Sequence, residues 1–411
     1  MKKYDIAIIG AGASGLAAAI SASRAAAATG QKLNIALLEA LPRVGKKILS
    51  TGNGRCNLGN TDTDISHYRG DTSIVQAVLS GGDCDTEEFF RSLGLLIKSD
   101  GGRLYPLSGQ ASGVLDALRL EVARLGCEVV TDTKITSITH TDCYTLNNSI
   151  KSKDVILCTG GIAALRGTDN AGYGLLEQLG LKITPLYPSL VQLIASQGNF
   201  KALKGIRADG EIRIMLGKKC LGSDSGELQF TDCGISGIPA MQVSRAVSAN
   251  VQKGNISARL DLCERLSQEQ LRDFFLKRAH DAPQSCCEDV MTGIMPKRLG
   301  LVLLLAAGIR PDAPAENIIP KLDKLVCTIK EWEIPLAGTK GFPDAQVTSG
   351  GAQASQFNPE TLEAKAHKGF FCAGEALDVD GECGGYNLHW AWCSGRRAGR
   401  YAAEYMIGDN R

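Results

Sequence analysis

Residues Tyr4 to Leu16, with the sequence Tyr-Asp-Ile-Ala-Ile-Ile-Gly-Ala-Gly-Ala-Ser-Gly-Leu, decide the fold of this chain. The apolar run at residues 6–9 predicts a buried strand, and the alanine-rich segment after the glycines predicts a helix. Gly10 permits the tight turn between them, Gly12 lets a pyrophosphate approach the backbone, and Gly15 lets the helix pack closely on the strand. The stretch therefore predicts a dinucleotide-binding βαβ unit with phosphates at the helix N-terminus.

Two further strands support this prediction. Residues 33–39 form a second apolar run that ends in Glu39, an acid suited to hydrogen-bond a ribose diol. The spacing from the glycines to Glu39 is slightly long, and the loop around Gly30 absorbs the excess. Residues 154–158 predict another buried strand, which ends in small residues that let a nucleotide lie across the strand end.

Two glycine-rich segments offer further contacts to a bound nucleotide. Residues 45–57 read Gly-Lys-Lys-Ile-Leu-Ser-Thr-Gly-Asn-Gly-Arg-Cys-Asn, and their backbone N–H groups and cations suit phosphates or an electron-rich ring. An ordinary surface loop has the same composition, so this alternative stays open. Residues 384–388 open the final predicted helix shortly after Asp378, and they provide a second helix start for an anionic or electron-rich group.

Length and charge limit the classes of function. A chain of 411 residues can form two or three domains. Lys and Arg number 45 against 44 for Asp and Glu, so no basic face for nucleic acid or anionic lipid is expected. The first strand starts too early for a secretory signal, and the apolar run at residues 301–307 is too short to span a bilayer. We expect a cytoplasmic protein with no membrane contact.

The middle of the chain differs in character from its ends. Short strands and glycine turns predict a β-rich insert domain at residues 188–262 together with 325–345. A capping box that starts at Ser267 and the periodic residues after it predict a helical subdomain at residues 263–324.

Five stretches together resemble the FAD-binding flavoproteins of the aminoacetone-oxidase and BaiN-like family, within the glutathione-reductase-type group. They span nearly the whole chain and lie at residues 10–16, 45–57, 230–239, 347–352 and 371–395. The resemblance implies an α/β fold: a Rossmann-like FAD-binding domain, made of residues 1–187 and 346–411, with an inserted β-barrel-like domain and the helical subdomain. Two positions depart from the family pattern: residues 162–169 lack an expected Ser-x-Pro, and His389 stands where Gln is expected.

The resemblance also implies non-covalent FAD and a set of cofactor contacts. Residues 10–15 hold the pyrophosphate, Glu39 the ribose, Ile135 the adenine and Asp378 the ribitol, while the N–H groups of residues 385–388 face the flavin pyrimidine edge. The full set is Gly10, Gly12, Ala13, Ser14, Gly15, Glu39, Ala40, Lys46, Lys47, Thr51, Gly52, Gly54, Arg55, Cys56, Asn57, Ile135, Thr159, Gly160, Gly161, Gly374, Glu375, Asp378, Gly385, Tyr386, Asn387 and Leu388.

The fourteen cysteines are scattered, and none forms Cys-x-x-Cys. No pair follows the first βαβ unit, where a flavin-linked redox disulfide is expected. We therefore expect buried, reduced thiols and full reduction with two electrons per flavin. No metal site is predicted.

Three functions compete. In the first, an amine or aminoketone is oxidised and O2 reoxidises the flavin; in the second, NAD(P)H reduces the flavin, which then reduces a small organic substrate. The third is a non-enzymatic flavin-binding regulatory protein, which a large insert disfavours because such inserts commonly shape substrate pockets. No second Gly-x-Gly-x-x-Gly follows a strand, so NAD(P)H is expected only as a transient co-substrate.

No residue stands out as the catalytic acid or base. The candidates are Arg55, Tyr386 and His389, because the family motifs place each near the flavin. The other four histidines, His67 among them, lie outside site motifs and are expected on the surface or at caps. The sequence predicts a small-molecule substrate of unknown identity and does not set the oligomeric state.

Overall fold

The computed structural model describes residues 1–164, 171–198 and 200–408. The strands, in chain order, are β1 (Lys2–Ile9), β2 (Ile35–Leu38), β3 (Gly59–Asn60), β4 (Tyr68–Gly70), β5 (Ile97–Asp100), β6 (Arg103–Pro106), β7 (Glu128–Val130), β8 (Ile138–His140), β9 (Tyr144–Leu146), β10 (Ile150–Leu157), β11 (Tyr187–Ser189), β12 (Leu193–Ala195), β13 (Arg207–Leu216), β14 (Lys219–Phe230), β15 (Gly234–Ser236), β16 (Ile256–Asp261), β17 (Trp332–Thr339), β18 (Val347–Ser349), β19 (Phe370–Cys372) and β20 (Val379–Gly381).

The helices, in chain order, are α1 (Ala13–Ala28), α2 (Lys46–Ser50), α3 (Thr72–Leu79), α4 (Thr86–Ser92), α5 (Ala111–Arg124), α6 (Ala171–Gln178), α7 (Ile238–Ser248), α8 (Gln268–Asp281), α9 (Cys287–Val290), α10 (Lys297–Ala306), α11 (Leu322–Lys330) and α12 (Tyr386–Gly408). Most of the loop that departs from the family's Ser-x-Pro pattern, residues 165–169, lies outside the described residues.

The chain forms two compact units. The first unit contains residues 1–186 and 347–411, and the second contains residues 187–346. Each unit has its own cluster of buried apolar side chains. Because the second unit is inserted between β10 and β19 of the first, the first unit is discontinuous in sequence.

The first unit is built on a Rossmann-like sheet, so the predicted fold class is confirmed. Its strand order is β7-β2-β1-β10-β9-β8, and β19 also pairs with β10. The pairs β7/β2, β2/β1, β1/β10 and β10/β19 are parallel, whereas β10/β9 and β9/β8 are antiparallel. A parallel arrangement buries both faces of the strands, and β2 accordingly has four buried residues in succession.

Helices α1 and α12 pack closely because their contact surfaces carry small residues. A Cβ atom added at Gly395 would lie 2.3 Å from Ser14 O, and one added at Gly399 would lie 2.2 Å from Ala18 O. The alanine-rich sequence of α1, which also predicts its helical state, leaves room for the α12 backbone. This packing brings the start of α1 and the interior of α12 together beside the sheet.

The second unit contains a closed barrel with the order β12-β15-β14-β13-β16-β17. Its strand pairs are antiparallel. The capping box predicted at Ser267 is confirmed at the start of α8. The boundary predicted between residues 324 and 325 falls inside α11, whose apolar residues at 325, 326 and 329 continue the helical pattern to Lys330.

The expectation that all cysteines are free thiols is wrong for one pair. Cys84 and Cys393 form a disulfide with a Cα–Cα separation of 4.6 Å. These two residues are 309 positions apart in sequence, so no local sequence motif predicts the pair. The remaining twelve cysteines form no disulfide.

Candidate functional site

The candidate site lies at the carboxyl edge of the parallel strands. Ile9 is in register with Leu38 on one side and Leu157 on the other, and Leu157 is in register with Cys372. The strands therefore end at one level, and the segments that follow them emerge side by side. In open α/β sheets this edge is where ligands bind.

Gly10 and Gly15 have the structural roles that the sequence predicts, and the phosphate contact of Gly12 stays a prediction. Gly10 has a φ of +99°, which an L side chain rarely adopts, and a Cβ there would lie 2.5 Å from Cys158 O. A Cβ at Gly15 would lie 1.9 Å from Gly10 O, whereas a Cβ at Gly12 would meet no atom within 4 Å. Gly10 and Gly15 are thus required by packing, while Gly12 borders open space beside the start of α1.

Glu39 binds the glycine loop itself. Its carboxylate accepts hydrogen bonds from Ala11 N–H and Leu41 N–H, each at 2.9 Å. The backbone oxygen of Glu39 accepts a hydrogen bond from Thr133 N–H at 2.8 Å. Ile135, two residues further along, is 3% exposed. The carboxylate therefore fixes the loop in addition to the ribose contact predicted for it.

The loop at residues 51–57 has an unusual backbone. Gly52, Asn53, Gly54 and Cys56 have positive φ angles of +55°, +54°, +82° and +58°. Arg55 lies between them in the right-handed helical region, so the pair Arg55–Cys56 has the αR–αL conformation. The N–H groups of Arg55 and Cys56 donate to Gly52 O at 3.2 Å and to Thr51 O at 3.1 Å, so the loop is closed by its own backbone hydrogen bonds.

Lys47 and Glu375 connect this loop region to the turn after β19. Lys47 Nζ donates to Glu375 Oε2 at 2.7 Å, and Glu375 Oε1 accepts from Thr348 N–H at 2.7 Å. The Thr348 hydroxyl oxygen accepts from the N–H groups of residues 162 and 163 at 2.9 and 3.0 Å. A Cβ at Gly161 would lie 2.4 Å from this hydroxyl, so the glycine lets the segments meet.

Gly374 joins the turn after β19 to both long helices. Its N–H donates to Ser394 Oγ at 2.9 Å, and its carbonyl accepts from Trp390 Nε1 at 3.0 Å. Its φ is +70°, and a Cβ there would lie 2.6 Å from Ser14 Oγ. The turn is therefore held directly against the first turn of α1.

The start of α12 contacts β3 and the loop before it. Gly385 has a φ of +105°, and a Cβ there would lie 2.5 Å from Gly59 O and 2.7 Å from Asn57 Oδ1. The glycine is thus required by packing against protein atoms. Asn387 stabilises the preceding β20, since its side chain accepts from Gly381 N–H at 2.8 Å and donates to Gly381 O at 2.7 Å.

Buried polar atoms around this edge fit an extended dinucleotide such as FAD. Asp378 Oδ1, Asn57 Oδ1 and Tyr173 Oη are buried and have no hydrogen-bond partner among the described residues. An unpaired buried polar group costs about 1–3 kcal/mol, so such groups commonly serve a ligand. Together with the open space at Gly12, these atoms provide places for a phosphate backbone and a polyol.

Two of the catalytic candidates differ in exposure. Arg55 is exposed, and its guanidinium lies 4.4 Å from the centre of the Tyr105 ring. Tyr386 is 5% exposed and stacks on His67 with ring centres 4.4 Å apart. Burial, and secondarily Asp62 and Glu382, raises the pKa of Tyr386 to about 12, so its phenol stays protonated at neutral pH.

His389 is enclosed by protein. Its exposed fraction is 3%, its Nδ1 lies 2.7 Å from Tyr68 Oη, and its Nε2 lies 3.4 Å from Cys84 O. Burial lowers the pKa of His389, so the imidazole is neutral at physiological pH. The ring is thus bonded inside the fold rather than presented to a ligand.

The remaining predicted residues surround the same edge. Ala13, Ala40, Lys46, Thr51, Thr159, Gly160 and Leu388 are exposed or half-buried in this structure. Cys56 is fully buried, and burial raises the pKa of its thiol to about 12, against a smaller opposing hydrogen bond from Thr51. This thiol is therefore neutral and unreactive as a nucleophile.

Three residues of this edge were not predicted: His67, Tyr173 and Thr348. His67 bridges Glu382 at 2.8 Å and Asp62 at 3.0 Å while it stacks on Tyr386, which is far away in sequence. Tyr173 has no local motif. Of the three, only Thr348 could have been found from the sequence, because it lies inside the family stretch at residues 347–352.

A comparison with known families decides the identity of the fold. The sequence model of the family described as "HI0933-like protein Rossmann domain" matches residues 4–401 of this chain. The chain belongs to this family. The chain is also similar to a 3-dehydro-bile acid delta(4,6)-reductase of Clostridium scindens, with 38% identity over 408 residues, or 97% of this chain and 99% of that protein. The resemblance inferred from the motifs is confirmed.

Other relatives of this HI0933-like chain carry a different name. A ribosomal RNA dihydrouridine synthase of Haemophilus influenzae is 27% identical over 402 residues, covering 94% of this chain and 95% of that protein. Among solved structures, a 3-ketosteroid delta1-dehydrogenase of Sterolibacterium denitrificans matches with a TM-score of 0.51 at 11% identity, covering 98% of this chain and 100% of that chain.

Together these findings make the HI0933-like chain a FAD-dependent oxidoreductase. The predicted enzyme class is confirmed. Among the described residues, no helix is both long and apolar enough to cross a membrane.

Proposed function

We propose that this enzyme reduces a carbon–carbon double bond conjugated to a carbonyl group in a small organic substrate. The proposal rests on the names of two relatives. A delta(4,6)-reductase of a 3-dehydro compound and a dihydrouridine synthase both saturate a double bond that is conjugated to a carbonyl. Because these relatives act on substrates of different size, the chemistry that they share is the part that we extend to this chain.

Non-covalent FAD binds, in this proposal, along the carboxyl edge of the sheet. Gly12 and the start of α1 receive the pyrophosphate, Glu39 the ribose, and Asp378 the polyol, as its buried and unpaired Oδ1 supports. Bound FAD supplies hydride transfer from a reductant to the substrate. The protein supplies position, charge and protons.

Arg55 and Tyr386 complete the proposed reduction. Arg55 is an exposed cation held over Tyr105, and in this role it hydrogen-bonds the carbonyl oxygen of the substrate and withdraws charge from the double bond. Tyr386 keeps its proton at neutral pH and donates it to the carbon next to the carbonyl. In this proposal His389 does not touch the substrate. It is a positioning residue that holds the Tyr68 hydroxyl through its Nδ1.

NAD(P)H is the proposed reductant. The chain has no second glycine-rich βαβ motif, so the nicotinamide cofactor binds transiently and leaves before the substrate enters. The alternative, oxidation of an amine by O2, has no specific support in the geometry.

A small molecule is proposed as substrate rather than RNA. RNA binding relies on an excess of Lys and Arg that neutralises phosphates, and this chain has a formal net charge of +1. The ribosomal RNA relatives make RNA the main competing substrate.

The test is product analysis with purified holoenzyme and NADPH or NADH under anaerobic conditions. The panel contains a steroidal 4,6-dien-3-one, a simple cyclic enone, unmodified ribosomal RNA and aminoacetone, the last with O2. Saturation of a conjugated ketone supports the proposal. Formation of dihydrouridine without ketone reduction, or oxidation of aminoacetone alone, would overturn it.

A further inference from the structure

The disulfide between Cys84 and Cys393 lies outside the proposed catalytic site. Cys84 ends a short 3-10 turn at residues 82–84, and Cys393 lies two turns into α12. At 1.5 Å per residue, Cys393 is about 10 Å along the helix from its first residue.

The two cysteines differ in burial. Cys393 is fully buried, whereas Cys84 is half-buried. Thiol–disulfide exchange requires a thiolate to reach one sulfur in line with the bond that breaks. Of the two cysteines, Cys84 is therefore the one that an external thiolate can approach, and Cys393 is then the leaving group.

His389 lies beside both sulfurs. Its Nε2 is 3.8 Å from Cys84 Sγ, and the ligand atoms of Cys84, His389 and Cys393 all lie within 4.8 Å of one another. Tyr68 holds the other ring nitrogen at 2.7 Å. When the Tyr68 hydroxyl donates to Nδ1, Nε2 carries the proton and lies 3.4 Å from Cys84 O and 3.8 Å from Cys84 Sγ, so its N–H can hydrogen-bond a thiolate that forms at Cys84.

The segment around Cys84 is also held by bonds that do not depend on the disulfide. Arg400 donates to Asp83 at 2.7 and 3.0 Å, and Arg396 donates to Asp85 O at 2.9 Å. These contacts attach both neighbours of Cys84 to α12. Cleavage of the sulfur–sulfur bond consequently leaves the segment in place, which makes re-formation of the bond easy.

We propose that Cys84–Cys393 is a reversible redox site that external dithiols reduce by attack at Cys84. One thiolate of the dithiol bonds to Cys84 Sγ, the Cys84–Cys393 bond breaks, and Cys393 leaves as a thiolate that takes up a proton. The second thiol of the reductant then displaces Cys84, which also leaves as a thiolate and is protonated. Two electrons and two protons pass to the protein, and the reductant becomes a cyclic disulfide. This inference does not depend on the proposed function.

Thiol counting tests the redox state. Holoenzyme is equilibrated with defined ratios of reduced and oxidised dithiothreitol, quenched with acid, unfolded and alkylated, and the modified residues are identified by mass spectrometry. We expect fourteen free thiols at the reducing limit and two fewer at the oxidising limit, with Cys84 and Cys393 changing together. Fourteen thiols at both limits, or a disulfide that persists in the folded protein under excess reductant, would overturn the proposal.

Variants assign the change to these residues. Cys84→Ser and Cys393→Ser each remove the two-thiol change, and Cys84→Ser alone suffices if the buried variant fails to fold. Cys127→Ser, which replaces a free half-buried cysteine, serves as the control and retains the change. His389→Gln slows reduction by dithiothreitol about tenfold, because it removes the imidazole N–H that can hydrogen-bond Cys84 when this residue leaves as a thiolate in the second step. An unchanged rate would show that His389 does not position the exchange.

Discussion

Lys47 Nζ lies 2.7 Å from Glu375 Oε2, and this contact joins two residues that are 328 positions apart. Each was predicted to touch the cofactor, and the structure shows that they also bind each other. Since Glu375 in turn accepts from Thr348 N–H, the pair links α2 to β18 and to the turn after β19.

Breaking this pair is expected to weaken FAD binding moderately. The two side chains are 32% and 20% exposed, so solvent screens the pair and its contribution is about 1 kcal/mol. Glu375→Gln should therefore raise the Kd of FAD about fivefold in a fluorescence titration. Glu264→Gln, which neutralises an exposed acid of the second unit, is the control, and an equal effect there would indicate a general charge effect.

Gly12 and Gly15 form a matched pair that separates binding from folding. Gly12→Ala adds a methyl group to open space, so the thermal unfolding of the apoprotein should not change while FAD affinity falls at least tenfold. Gly15→Ala places a methyl group against Gly10 O and should destabilise the apoprotein by about 1–3 kcal/mol. Equal losses of stability in both variants would contradict this division of roles.

Asp378 is expected to bind FAD directly. Its Oδ1 is buried without a partner among the described residues, so Asp378→Ala removes an acceptor and should raise the Kd of FAD about tenfold or more. Asp378→Asn keeps one acceptor oxygen, so its loss of FAD affinity should be smaller. Full FAD occupancy in both variants at micromolar cofactor would show that the carboxylate serves another purpose.

Local pattern in the sequence was sufficient to predict the turn between β1 and α1. Gly10 and Gly15 have the predicted roles because those roles depend on the backbone between β1 and α1. Contacts between distant segments could not be predicted in the same way. The disulfide of Cys84 with Cys393 and the stacking of His67 on Tyr386 depend on where α12 lies relative to residues 67–84.

His67 should make protein stability depend on pH. Burial acts to lower its pKa, but the hydrogen bonds to Glu382 and Asp62 outweigh burial and raise the pKa above the usual value. The stabilisation from the charged form is present below the unfolded-state pKa and is lost as pH rises through the folded-state pKa. His67→Gln should thus destabilise the protein more at pH 6 than at pH 9 in denaturant titrations. A pH-independent difference would mean that only stacking on Tyr386 matters.

The proposed reaction divides into two half-reactions that can be measured separately. Under anaerobic conditions, NADPH or NADH is mixed with the holoenzyme in a stopped-flow instrument, and the absorbance of oxidised flavin near 450 nm is followed. A conjugated ketone is then added to the reduced enzyme. We expect bleaching in the first step and full recovery of the absorbance, with one saturated product per flavin, in the second. Rapid reoxidation by O2 alone, with no recovery on addition of any conjugated carbonyl compound, would contradict the account.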